Sequence, residues 1–379
     1  MVRQNDDELS CQKYGVPFYG AAWVPPSAAV KEDKSESPAA IRHVVLAGGG
    51  GEGSSGIPNA FLVTAFDLES NSLSNPPVAK LGTASDLPYR IAVHPGSEGI
   101  VCSFPKSCRL FQWDSGTNTD EPALSLIPSE RVLVQLEDVG QQLSSTFNDE
   151  GNLFAVGGED GKLRVFKWPI MECILNEDNA HTSVKDLDFS SDGKFLVSVG
   201  SGPGRIWDIT TSASLATLPK ENDEIFGFCR FSRAADTDQI LYTTAMRDKG
   251  GSIVKWNTNT WRRISSSHIV RDPISAFNVS PDGKLLAIGT IQGDVFIIRS
   301  AGMRVHTVVK KAHLGLVTAL AFSPDSRALL SASLDSSARV TLIKDKKQGG
   351  TNLWVILLII LLAIASYYAK TKELLPLKL

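Results

Sequence analysis

The stretch FSSDGKFLVSVGSGPGRIWDI, residues 189–209, sets a turn, an apolar run, a second turn and another apolar run in that order. Asp192-Gly193 is a hairpin dipeptide, since tight turns need positive φ values that Asp and Gly tolerate. Phe195-Leu196-Val197 reads as a short buried strand. The pattern recurs as FNDEGNLFAVGGEDGKLRVFKW from Phe147, VSPDGKLLAIGTIQGDVFII from Val279 and FSPDSRALLSASLDSSARVTLI from Phe322, with weaker copies from Val93 and Phe231. Successive copies start 54, 42, 42, 48 and 43 residues apart.

That spacing is the WD-repeat period. A sheet this small cannot bury both of its faces alone, but sheets packed radially as blades can. Trp113, Trp168, Trp207 and Trp256 close four of the units, and Trp207-Asp208 is the WD dipeptide itself. His181 and His313 each precede a unit, which suits buried, hydrogen-bonded histidines better than catalytic ones. Six units cover residues 88–345, and residues 14–67 supply a seventh, divergent one. The predicted fold is all-β, a seven-bladed propeller, with residues 31–37 as a solvated loop in its first blade.

Composition narrows the function. A net charge of −3 gives no basic face for nucleic acid. Cys11, Cys102, Cys108, Cys173 and Cys229 are scattered without a C-x-x-C pair, which suits reduced cytosolic thiols, not a disulfide framework or zinc site. The first ten residues lack an apolar signal core. Residues 353–369, LWVILLIILLAIASYYA, carry no charge, and a helix of that length spans about 26 Å, near the thinner hydrocarbon layer of the endoplasmic reticulum. A single C-terminal transmembrane helix is therefore predicted, with Trp354, Tyr367 and Tyr368 as interfacial anchors. Flanking lysines are balanced and do not orient it; the missing signal leaves the preceding chain cytosolic. The expected organisation is an N-terminal segment 1–13, a cytosolic propeller 14–345, a linker 346–352, a transmembrane helix 353–369 and a luminal tail 370–379.

Residues 44–68, VVLAGGGGEGSSGIPNAFLVTAFDL, place Gly48, Gly49, Gly50, Gly51, Gly53 and Gly56 within nine positions. Gly51 to Gly56 satisfies G-x-G-x-x-G, but the dinucleotide reading needs a helix to follow, and Ile57-Pro58-Asn59 leads instead into an aromatic, β-branched run. No Gly-Lys-Ser/Thr closes the stretch, so it is no P-loop. No direct nucleotide binding is expected, and a soluble redox enzyme fails on the same absent helix. The glycines form a loop between neighbouring strands of the first blade.

A propeller, a C-terminal anchor and this loop together resemble the endoplasmic-reticulum guanine-nucleotide exchange factors for the Sar-type GTPase that starts COPII coats, and a plant member in particular. The resemblance rests on Tyr14-Gly15-Val16-Pro17-Phe18-Tyr19-Gly20-Ala21, on Leu46-Ala47-Gly48-Gly49-Gly50-Gly51, and on Gly56-Ile57-Pro58-Asn59. It implies an exchange loop with Asn59, Pro58 and Ile57 at its working end. A potassium ion would organise the backbone of Gly48, Gly49, Gly50, Gly51, Gly53 and Gly56. Asp86, Leu87 and Pro88 would form a neighbouring GTPase contact. It also implies residence in the endoplasmic-reticulum membrane, with the propeller in the cytosol and the C-terminus in the lumen. Exchange makes and breaks no covalent bond, so no acid, base or nucleophile is expected; a luminal tail of ten residues leaves no room for a luminal domain. The alternative is an exchange-inactive trafficking adaptor of the same architecture, like the plant phosphate transporter traffic facilitator, which would have no need to keep this loop.

Overall fold

Three of the turns that define the repeat share one hydrogen-bonded module in the computed structural model, which describes residues 9–29, 41–53, 55–114, 124–233, 239–248, 250–344 and 353–371. In each, a serine hydroxyl donates to the aspartate two residues on and accepts the amide five residues on. Ser190 Oγ reaches Asp192 at 2.7 Å and takes the Phe195 amide at 2.9 Å; Ser280 with Asp282 and Leu285, and Ser323 with Asp325 and Ala328, repeat it. Gly193 and Gly283 supply the left-handed residue, φ +68° in both, and Ser326 takes that conformation in the third turn at φ +60°. Local sequence thus closes these hairpins before any long-range packing.

Seven sheets result, six of four strands and one of five. Each copy of the repeat begins on the last residue of an inner strand, as at Ile91–Val93, Gln142–Phe147 and Val184–Phe189. The first blade is built from β2 (Phe18–Trp23), β3 (Ile41–Gly48) and β4 (Ala60–Asp67), with β5 (Ser72–Leu73) and β6 (Ala79–Gly82) both pairing with β4. The second contains β7 (Ile91–Val93), β8 (Ile100–Ser103) and β9 (Cys108–Asp114). Residues 31–37, expected as a loop, lie outside the described residues.

The N-terminal segment is not a separate element. Its residues Cys11–Lys13 form β1, which pairs antiparallel with Ser337–Leu342 and so completes the last blade. Closing the ring removes an open sheet edge, and Phe18, Leu46 and Leu62 of the first blade pack with Leu330 and Val340 of the last in one buried cluster. Arg42 adds a bidentate pair to Asp325 at 2.8 and 2.6 Å.

The repeat histidines are structural. His181 Nε2 lies 2.9 Å from Ser198 Oγ, which also accepts from Trp207 Nε1 at 2.9 Å. His313 meets Ser331 and Ser337 hydroxyls at 2.8 and 2.6 Å. Burial lowers the His181 pKa to about 4 from an ordinary 6.5, so the folded ring is neutral where an unfolded one would take a proton. Stability from this site is complete above about pH 6.5 and is lost as pH falls toward 4. Wild-type protein should lose melting temperature across that window more steeply than His181→Gln; parallel curves in a differential scanning series would exclude this histidine as the cause.

The chain divides into two compact units, residues 1–342 and 343–379. In the second, a helix runs Leu353–Thr371. Among the described residues no helix is long and apolar enough to cross a membrane, so the span expected over 353–369 has no structural support from them.

Candidate functional site: a braced glycine loop

β3 and β4 pair without a slip from Ile41 opposite Asp67 to Gly48 opposite Ala60, so residues 49–59 are the tip of one hairpin. The six glycines in this region divide into two groups. A Cβ on Gly48 would overlap the Pro17 carbonyl oxygen, one on Gly49 the Asn59 Oδ1, and one on Gly50 the Ser55 Oγ, with Ile57 O at 3.0 Å. Gly51, Gly53 and Gly56 face open space, although Gly51 (φ +79°) and Gly56 (φ +70°) hold the left-handed conformation that favours glycine. Close packing thus accounts for the first three glycines and chain direction for Gly51 and Gly56; Gly53 shows neither constraint.

The two motifs that carry the resemblance meet here. The Gly49 amide donates to Pro17 O at 3.0 Å, so the Tyr14 to Ala21 motif leads into β2 and also holds the root of the loop. Tyr14 in turn donates to Ser74 O at 2.8 Å, fixing that lead-in to the blade.

Asn59 is not an exposed contact, as its place at the loop's end suggested. It is 3% exposed. Its Oδ1 accepts from the Gly51 amide at 2.9 Å, and its Nδ2 donates to Gly51 O at 3.1 Å and to Ala84 O at 3.0 Å. The side-chain amide has the same donor and acceptor pair as a peptide, so it clasps Gly51 as a neighbouring strand would. The tip beyond it is open: Ile57 is 36% exposed, and Pro58 is exposed beside it.

Residues 83–88 lie against this brace. Thr83 N donates to Asn59 O at 3.0 Å, and the Thr83 hydroxyl caps its own turn on Asp86 O at 2.7 Å. The expected contact segment is therefore beside the expected loop, but its members differ. Leu87 is half-buried, Pro88 is buried, and Asp86 is held by Arg109 at 2.5 Å. Pro88, expected as a contact, is buried in the chain as it stands. Sequence reading also missed Pro17, Ala84 and Arg109; no local pattern links Asn59 to a carbonyl 25 residues on.

Among the described residues no group of three or more His, Cys, Asp or Glu could hold a metal ion. A cation at the loop would have to be held by backbone and hydroxyl oxygens. Ser55 Oγ and Ile57 O both approach Gly50, with the Ile57 Cβ beside them, and the two oxygens are donors of the kind a hard monovalent cation takes.

A closed seven-bladed WD-repeat propeller with a braced, apolar-tipped loop on one rim belongs to the class of protein-interaction scaffolds. Its repeats match the family described as WD domain, G-beta repeat, over residues 172–208, and the anaphase-promoting complex subunit 4 WD40 domain over residues 277–349. SEC12-like protein 2 of Arabidopsis thaliana is 49% identical over 365 residues, covering 93% of this chain and 92% of that protein. SEC12-like protein 1 of the same plant is 33% identical over 77% of this chain and 73% of its own length. The guanine nucleotide-exchange factor SEC12 of Rattus norvegicus is 27% identical over 56% of this chain and 57% of its own. The chain belongs to the SEC12 family, and a plant member fits these matches.

Proposed function

We propose that the protein accelerates GDP release from a Sar-type small GTPase at the endoplasmic-reticulum membrane, and so starts COPII vesicle formation. The observation that carries this reading is the Asn59 brace, which holds a glycine loop in one shape with Ile57 and Pro58 presented at its tip. A relative named as a guanine nucleotide-exchange factor supports it.

Exchange is differential binding. The factor must bind the nucleotide-free GTPase more tightly than the GDP-loaded one, and by linkage the same factor by which it weakens GDP is the factor by which GDP weakens it. A preordered loop serves this because little entropy is lost when it docks. Ile57 and Pro58 supply an apolar tip that is paid for in solvent exposure until a partner covers it. Backbone oxygens of Gly48, Gly49, Gly50 and Gly51, with Ser55 and Ile57, would hold a potassium ion. That ion would supply charge to keep converging carbonyl dipoles together.

The test is labelled-GDP release from a Sar-type GTPase with and without the full chain. Acceleration is expected, and none at any concentration would favour the adaptor. The uncharged run of 353–369 supports a membrane span, and the lack of an apolar signal core in the first ten residues supports a cytosolic propeller. Deleting residues 353–379 should therefore leave exchange in solution intact while the protein no longer sediments with membranes or rescues vesicle budding. Retention of the truncated protein on membranes would place the anchor elsewhere.

A further inference from the structure

The rim that holds the glycine loop continues onto the second blade, where Arg109 on β9 stands between two grooves. One is lined by Glu52 of the loop, Asp86, Lys106, Arg109, Glu137 and Asp138. The other, of about 290 Å³, is mainly apolar and is walled by Leu81, Leu110, Phe111, Val132 and Leu133. Arg109 belongs to both.

This arginine is held rather than free to swing. Asp86 takes its Nη2 at 2.5 Å, and its guanidinium lies 4.7 Å over the ring of Phe104, which is buried. The Asp86 bond is the one hydrogen bond it makes among the described residues. Its side chain is nevertheless half exposed, at 50%. A planar guanidinium with donors to spare, fixed by a carboxylate and a ring beside an apolar groove, has the composition of an interface hot spot. Val132, which lines the apolar groove, is 60% exposed and adds apolar surface there.

We infer that Arg109 is a contact residue for the GTPase, and that Asp86 acts by positioning it. The inference rests on the exchange reading above and extends the docking face from the loop across the second blade. Continuity argues for that occupant: Thr83, four residues before Leu87, bonds the loop's Asn59 and also lines the apolar groove. The groove takes an apolar side chain. Arg109 donates to an oxygen beside that anchor, and the carboxylates of Glu52, Glu137 and Asp138 near it disfavour an acidic group there. The acceptor is therefore a neutral oxygen of the GTPase, a main-chain carbonyl or an uncharged side chain.

The experiment measures GDP release by the full chain in liposomes against its concentration. Arg109→Ala and Val132→Asp should each raise the half-saturating concentration about tenfold or more, with the maximal rate and the melting temperature near wild type. Arg109→Lys should restore part of the loss. Asp86→Ala combined with Arg109→Ala should be no worse than Arg109→Ala alone, because the carboxylate works through the guanidinium. Wild-type half-saturation in both Arg109→Ala and Val132→Asp would overturn the inference while leaving exchange standing. A wild-type chain that releases no GDP would remove the exchange reading, and this one with it.

Discussion

Asn59→Ala should slow GDP release by the full chain roughly ten- to hundredfold while lowering the melting temperature by only a few degrees. The residue makes three hydrogen bonds that fix the loop on Gly51 and Ala84. At about 1 kcal/mol each, their loss leaves a loop whose ordering costs about 2–3 kcal/mol at the moment of docking, and each 1.4 kcal/mol is tenfold. The brace is buried, so some loss of stability accompanies the loss of exchange. Asn59→Asp should do at least as much harm. It keeps size and shape but replaces the Nδ2 donor with an oxygen that faces two carbonyls, and it buries a charge. Release within twofold of wild type for both variants would show that the loop holds its shape without Asn59, and would take away the observation on which exchange rests.

The sequence made some strands legible and hid others for a physical reason. Residues 195–200 and 285–290 lie inside their sheets, buried almost throughout, and read as continuous apolar runs. Ala213–Leu218 and Arg263–Val270 are outer strands, exposed along half or more of their length, and RISSSHIV carries no pattern that separates it from a loop. The blades could be counted without those strands because an Asp-Gly turn or a closing tryptophan marks five of the units and the spacing of the inner apolar runs carries the rest. The closing strand Cys11–Lys13 was hidden for a different reason: it is three residues long and its partner is more than 300 residues away. At the site, the glycines were conspicuous, and the packing that requires three of them was not. An asparagine after Ile-Pro reads as turn chemistry, whereas its burial depends on Ala84 and Gly51 reaching it from two directions. Asp86 enters as a contact only through the resemblance of its segment; Arg109, which holds it, lies 23 residues on, in the strand Cys108–Asp114.

Gly50→Val should abolish most exchange, and potassium should matter for the same structural reason. Gly50 is not among the residues with positive φ, so backbone strain is not the cause. Crowding is: a Cβ there would overlap Ser55 Oγ and press on Ile57 O, the two oxygens that converge on this point. Valine would push that oxygen set apart and displace Ile57 at the tip. Gly53→Ala is the matched control, since nothing lies within 4 Å of its Cβ and its φ is ordinary, so it should exchange like wild type. If the oxygens hold potassium, replacing it with lithium at constant ionic strength should slow wild-type release several-fold, because the smaller ion cannot span oxygens set for a larger one. Ionic strength is fixed so that screening of the two charged proteins does not change with the ion. Gly50→Val, having lost that oxygen set, should be slow in both salts and indifferent to the exchange of one for the other. Equal wild-type rates in potassium and lithium, with Gly50→Val still slow, would mean that Asn59 alone sets the loop and that the converging oxygens serve only its packing.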